Sequence, residues 1–190
     1  MDAFAIKQLA VNLLLTVALW GSGSHAVSGE IRVAVASNFS PAMKALELVF
    51  EELSGHQVIL SFGSTGKHYA QIKNGAPFDV FMAADVERPR LLETQGLVQV
   101  DSRVTYARGK LILWTSKSGI DDIKNALLIG QDFRHLAVAN PKLSPYGLAA
   151  QQVMIKLDVW PRLQSKLVRG ENIAQTFQFV HSGNAGLGFV

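Results

Sequence analysis

Polar residues stand at four places where a predicted strand gives way to a helix, and their types suit the binding of an anion. Hydroxyl, amide or glycine residues at such junctions place side-chain donors and unpaired backbone N–H groups at the amino terminus of a helix. The positive end of the helix dipole lies at the same point and favours negative charge. Ordinary helix capping uses the same residue types, so this alternative stays open for each junction taken singly. The four junctions are Ser37-Asn38, Ser64-Thr65-Gly66, Pro145-Tyr146-Gly147 and Asn172-Ile173.

The second junction contains part of the phosphate-binding loop of nucleotide hydrolases. The segment reads Gly63-Ser64-Thr65-Gly66-Lys67, but that loop also needs glycine at position 61 and Ser or Thr at position 68. The chain has Ser61 and His68 instead. A nucleotide site is therefore excluded, and what remains is a short loop whose backbone amides could contact a smaller anion.

Side chains for catalysis or for direct metal binding are sparse and scattered. The chain has no cysteine, which excludes a thiol nucleophile and a cysteine metal site. Asp79 and Asp85 flank a short apolar strand, and we expect turn and cap roles for them. The histidines after residue 26 lack the spacing of a zinc helix, so surface or partly buried structural roles are expected. They are His56, His68, His135 and His181.

Short apolar runs alternate with helical patterns along the chain, which predicts an α/β fold with mostly parallel sheets and helices on both faces. Such sheets bind ligands beyond the carboxyl ends of their strands. A change of lobe is predicted near residues 106–109. The predicted strands cover residues 31–35, 58–62, 80–84, 111–115, 136–139, 167–169 and 187–190. The clearest predicted helices run from the cap Ser40 to Gly55, from Gly147 to Leu157 and from Asn172 to about Ser182. A shorter helix around Tyr69 and Ile72 is predicted to end at Asn74-Gly75.

The first 26 residues have the pattern of a secretory signal. Lys7 precedes an apolar run from Leu9 to Trp20, and Ser24-His25-Ala26 has the small-x-small form of a cleavage site. We expect export and cleavage after Ala26, with retention as a membrane anchor as the alternative. The net charge is +3, and the basic residues are scattered, so no nucleic-acid partner is predicted.

Several motifs in one order resemble those of the periplasmic molybdate-binding proteins of ABC importers. They are Ala34 to Phe39, Ser61 to Lys67, Asn74 to Asp85, Tyr106 to Leu111, Asn140-Pro141 with Pro145 to Gly147, and Gly186 to Val190. The resemblance implies a type II periplasmic binding protein with two α/β lobes, residues 27–107 and 108–190, and a ligand cleft between them. It also implies a monomer without a cofactor that binds molybdate or tungstate and delivers it to a membrane permease.

The same resemblance implies which residues hold the oxyanion. On the first lobe they are Ser37, Asn38, Ser64 and Thr65, with Thr65 where many members have serine. On the second lobe they are the backbone N–H groups of Tyr146 and Ile173. Two alternatives stay open: a binding protein for another oxyanion such as sulfate or phosphate, and an α/β enzyme acting on a small anionic substrate. For the enzyme, these junctions supply no acid, base or nucleophile.

The sequence ends on the apolar residues Leu187 to Val190, which favours the interpretation that the chain is a fragment. A short edge strand at this end is the alternative. In the resembling family a further stretch returns to complete the first lobe. We therefore expect exposed apolar sheet surface and lower stability in this chain. A non-functional remnant is a third alternative for the function.

Overall fold

The computed structural model describes residues 28–118, 122–130 and 133–190, which form two β-sheets flanked by helices. The predicted signal at residues 1–26 lies outside the described residues. Among the described residues, no helix has both the length and the apolar character needed to span a membrane. The helices are α1 (Ser40–Ser54), α2 (Thr65–Lys73), α3 (Glu87–Thr94), α4 (Ile123–Ile129), α5 (Pro145–Lys156), α6 (Trp160–Leu163) and α7 (Ile173–His181), with 3₁₀ turns at Ser37–Phe39 and Gln164–Lys166.

The first sheet has three parallel strands in the order β2-β1-β3. They are β1 (Glu30–Ala36), β2 (Gln57–Gly63) and β3 (Val80–Met82). Residues 33–36 of the central strand are buried, since helices or loops cover this end of the strand on both faces. The parallel order brings the carboxyl ends of all three strands to one edge, where β1 and β2 deliver the first two junctions.

The second sheet has four strands in the order β4-β7-β5-β6. They are β4 (Leu113–Trp114), β5 (Leu136–Ala139), β6 (Leu167–Gly170) and β7 (Leu187–Phe189). Only the β4–β7 pair among these is antiparallel. Strand β7 lies inside the sheet between β4 and β5, so the alternative of an edge strand at this position is wrong. Every residue of β5 is buried, and the carboxyl ends of β5 and β6 lead into the junctions before α5 and α7.

The two sheets differ in how well their apolar residues are covered. The second sheet packs a continuous core that includes Leu127, Leu136, Met154 and Leu163. Helix α1 of the first sheet buries no residue completely. Exposed apolar side chains of this helix and of the neighbouring strands are Leu46, Leu48, Val49, Phe50, Leu53, Ile59, Phe62 and Val80. The first sheet therefore has exposed apolar surface, while its link to a missing segment and its effect on stability stay predictions.

The α/β class and the mostly parallel sheets are confirmed, but several boundaries are corrected. Ser40 is the first residue of α1 and not its cap, and its hydroxyl donates to the Ser37 carbonyl at 2.8 Å. Strands β3 and β4 are shorter than the apolar runs that predicted them. Helix α3 was not predicted, although Pro89 lies in its first turn, where a missing N–H costs nothing. The lobe boundary near residues 106–109 stays a prediction; β1–β3 precede it and β4–β7 follow it.

Candidate functional site

A small pocket lies where the carboxyl ends of the two sheets approach each other. Its empty space, counted with the mouth that opens to solvent, is about 160 Å³. Drug-sized ligands occupy pockets of roughly 300–1,000 Å³. This pocket is smaller even with its solvent-open mouth included, so it suits a smaller ligand. All six residues predicted from the motifs line it: Ser37, Asn38, Ser64, Thr65, Tyr146 and Ile173. The lining residues that the sequence did not single out as ligands are Ala36, Gly63, Ala84, Ser144 and Pro145.

Ser37 joins the two sides of the pocket. It follows β1 directly, and it is nine-tenths buried because it opens the 3₁₀ turn beneath α7. Its hydroxyl oxygen accepts a hydrogen bond from the backbone N–H of Ala174, in the first turn of α7, at 3.4 Å. The hydroxyl oxygen is thus an acceptor toward the second sheet, which leaves its own hydrogen available for a ligand in the pocket.

The hydroxyl oxygens of Ser64 and Thr65, at the start of α2, also accept hydrogen bonds from backbone N–H groups. Ser64 is the N-cap, and its side-chain oxygen accepts from the Lys67 N–H at 3.4 Å. Thr65 is almost completely buried, and its Oγ1 accepts from the Ala84 N–H at 3.1 Å. Each hydroxyl oxygen again accepts from the backbone, so each retains a hydrogen to donate. The contact with Ala84 fixes the Thr65 rotamer from the segment that follows β3.

The second sheet contributes the amino termini of α5 and α7. In α7, Asn172 accepts from the Gln175 N–H at 3.0 Å, and the Ala174 N–H is used by Ser37. Within the described residues, the N–H groups of Ile173 and Tyr146 have no hydrogen-bond acceptor. Unpaired amides of this kind are the usual donors to an anion at a helix start.

Tyr146 also closes one wall of the pocket through its ring. Burial raises the pKa of the Tyr146 phenol, and a hydrogen bond with the Asn38 side chain opposes part of that rise. The phenol lies directly against Gly109, where a Cβ atom would overlap it. Tyr106 lies nearby, packs edge-on against Phe39 with ring centroids 5.0 Å apart, and donates its hydroxyl to the Ala83 carbonyl at 2.8 Å. Burial also raises the pKa of the Tyr106 phenol, so both phenols stay neutral at physiological pH.

Contacts between the two sides hold the helix starts together around the pocket. The Gly66 N–H donates to the Leu143 carbonyl at 2.8 Å, and a Cβ at Gly66 would crowd that carbonyl. Lys67 and Glu171 form an exposed ion pair at 2.9 Å. The charges of this pair lie outside the pocket, and no carboxylate, imidazole, ammonium or guanidinium group lines the pocket among the described residues.

The carboxylates and histidines singled out by sequence take structural positions. Asp79 accepts from the Arg32 N–H at 2.7 Å, and Asp85 accepts from the Arg88 N–H at 2.9 Å in a capping contact. His68 differs from the expectation of a surface or partly buried residue, because it is fully buried between Gly63 and two phenylalanine rings. Burial lowers its pKa, with opposing hydrogen bonds to Gln71 and to the Val35 carbonyl. The described residues contain no group of His, Asp or Glu side chains able to hold a metal ion.

Two β-sheets flanked by helices meet at the carboxyl ends of their strands, around a small pocket without charged side chains. This arrangement is typical of proteins that bind a solute between two sheets. The chain belongs to the family of bacterial extracellular solute-binding proteins, whose sequence profile matches residues 31–190. It is 53% identical to the molybdate-binding protein ModA of Azotobacter vinelandii over 99% of this chain and 73% of that protein. It is 45% identical to ModA of Rhodobacter capsulatus over 90% of this chain and 67% of that protein.

A solved structure gives the same result for the fold. The periplasmic molybdate-binding protein of Azotobacter vinelandii superimposes with a TM-score of 0.80 and 42% identity, covering 84% of this chain and 70% of that one. The resemblance predicted from the motifs is therefore confirmed, as is the periplasmic-binding-protein fold.

Proposed function

We propose that this protein binds molybdate or tungstate in the pocket between its two sheets and delivers the anion to an ABC-type membrane importer. The observation that carries the proposal is how the three hydroxyls beside the first sheet are hydrogen-bonded. Ser37, Ser64 and Thr65 each accept a backbone N–H through oxygen, so each presents its hydrogen to a ligand. The relatives that are 53% and 45% identical are molybdate-binding proteins, which supports the same ligand here.

The pocket suits an anion that offers only acceptors. Molybdate and tungstate are fully ionised oxyanions, whereas phosphate near neutral pH carries a hydrogen that would meet another hydrogen in a donor-lined site. A lining without Lys or Arg avoids the desolvation cost of a buried cation, and fixed dipoles supply the attraction instead. Size then separates molybdate and tungstate from the smaller sulfate. These features favour this ligand pair over the other-oxyanion alternative.

Binding without catalysis follows from the same lining. The pocket has no carboxylate, imidazole or amine among the described residues, so acid–base catalysis lacks its usual groups and the Ser and Thr hydroxyls lack a base that would activate them as nucleophiles. Action as a monomer belongs to the same proposal. The proposal also includes export to the periplasm, directed by the first 26 residues. It includes no nucleic-acid partner.

The test is a thermal melt of the 190-residue chain in buffers of matched ionic strength, with molybdate, tungstate, sulfate, phosphate or chloride. A ligand that binds only the native state at one hundred times its Kd adds about 2.7 kcal/mol to the free energy of unfolding. We expect the midpoint to rise with molybdate and tungstate and to stay unchanged with the other three anions. An equal rise with sulfate would favour the other-oxyanion alternative. No rise with any anion would contradict the proposal.

A further inference from the structure

Ser144 occupies a helix cap position without acting as a cap. Its backbone is extended, with φ −117° and ψ 127°, as a cap residue requires, and Pro145 follows at the first position of α5. The residues at the same position of α2, α4 and α7 each accept a hydrogen bond from an N–H in the first turn: Ser64, Asp122 and Asn172. The Ser144 side chain makes no such bond. Its hydroxyl is therefore not used to stabilise α5.

The Ser144 hydroxyl instead opens into the pocket. The residue is only 4% exposed, and it lines the pocket beside Tyr146. Within the described residues, no side-chain oxygen or nitrogen that is sealed from solvent lacks a hydrogen-bond partner. The Ser144 hydroxyl has no partner among those residues, so it must reach open space, and the open space that Ser144 lines is the pocket.

The backbone around Ser144 is held in place by hydrogen bonds. The Ser144 N–H donates to the Asn140 carbonyl at 2.8 Å, and the Ser144 carbonyl accepts from the Leu148 N–H at 3.0 Å. The preceding carbonyl, that of Leu143, accepts from Gly66 on the other side of the pocket. Both neighbouring peptide groups are thus fixed before any ligand arrives, so ligand binding has to order only the Ser144 side chain and not its backbone.

We propose that Ser144 is a further ligand-binding residue, whose hydroxyl donates a hydrogen bond to the bound oxyanion from the side of the second sheet. The inference rests on the proposed function, because it assigns one more donor to the same anion. A hydrogen bond to a charged group contributes enough to binding that its loss weakens affinity by roughly ten- to one-hundred-fold. The ligand-free protein loses nothing with this hydroxyl, since no residue described here accepts from it or donates to it.

The experiment compares the unmodified chain with Ser144→Ala and with Ser182→Ala, which removes an exposed hydroxyl at the end of α7. Molybdate affinity is measured by calorimetric titration, and each chain is also melted without ligand. For Ser144→Ala we expect a Kd raised roughly ten- to one-hundred-fold and an unchanged melting midpoint without ligand. For Ser182→Ala we expect an unchanged Kd.

Three other outcomes would overturn the Ser144 assignment, and they show whether the proposed function fails with it. Molybdate binding by the unmodified chain with an unchanged Kd in Ser144→Ala would overturn the Ser144 assignment and leave the proposed function standing. A lowered midpoint of Ser144→Ala without ligand would show a capping role and would also overturn the assignment. No molybdate binding by the unmodified chain would overturn the proposed function, and the Ser144 assignment with it.

Discussion

The two sides of the pocket offer hydrogen-bond donors of different origin. The first sheet presents side-chain hydroxyls at Ser37, Ser64 and Thr65, whereas the second sheet presents the backbone N–H groups of Tyr146 and Ile173 beside the proposed Ser144 hydroxyl. Substitution can delete a hydroxyl, but a replacement other than proline leaves a backbone N–H in place. Apart from Ser144, the second side therefore depends on backbone placement and the first on residue identity, so the two sides should respond differently to the same kind of mutation.

The second side should lose most affinity for the anion when a substitution displaces its backbone. Gly147→Ala tests this expectation. A Cβ at Gly147 would overlap the Ala139 carbonyl and lie 2.8 Å from the Asn140 carbonyl carbon. Both are backbone atoms that cannot rotate away, so the start of α5 must move and carry the Tyr146 N–H with it. We expect molybdate affinity to fall by more than about one-hundred-fold, because a displaced helix start misdirects both the Tyr146 N–H and the proposed Ser144 hydroxyl, and each hydrogen bond to a charged group contributes roughly ten- to one-hundred-fold.

The measurement is calorimetric titration of Gly147→Ala with molybdate, and Gln152→Ala on the exposed face of the same helix is the control. The control should bind like the unmodified chain. Near-normal affinity of Gly147→Ala would mean that the position of α5 does not limit binding, and the comparison between the two sides would fail.

The first side is tested by Thr65→Val, which keeps the side-chain shape and deletes the hydroxyl. The variant loses a donor to the anion and also leaves the half-buried Ala84 N–H without its acceptor. We expect affinity to fall roughly ten- to one-hundred-fold and the free energy of unfolding to fall by about 0.5–1.5 kcal/mol. Thr65→Ser keeps the hydroxyl and should bind within a few-fold of the unmodified chain. Equal affinities for the Val and Ser variants would contradict a hydroxyl donor at this position.

The first-side hydroxyls could be predicted from sequence because their signal is local. A strand, then Ser or Thr, then a helix places the side chain at the carboxyl edge of a parallel sheet, whatever the rest of the fold does. The junctions before α5 and α7 were found in the same way. Bringing all four junctions to one pocket needed the family resemblance, since local patterns do not say which sheet edges face each other.

What the sequence could not predict depends on contacts between distant segments. The Thr65 contact with Ala84 forms only because β3 pairs with β1 and not with β2. His68 reads as an isolated polar residue, but Gly63 leaves the space that its ring fills beneath the sheet edge. Ser144 matches a capping residue by position, and only the three-dimensional structure shows that its hydroxyl caps nothing. In each case the sequence gives the residue type, but not the groups that surround the side chain in the fold.

The smallest effect is expected for Ile173→Val, which tests the second side without moving its backbone. Both side chains are β-branched and adopt the same helical rotamer, so α7 should begin at the same residue and the Ile173 N–H should keep its direction. Ile173 is buried, and removal of one methylene typically costs about 0.5–1.5 kcal/mol of stability. We expect that cost in a melt without ligand, together with a molybdate Kd within about two-fold of the unmodified chain. A loss of affinity as large as that of Thr65→Val would mean that the Ile173 side chain shapes the pocket, and the second side would then depend on residue identity as the first side does.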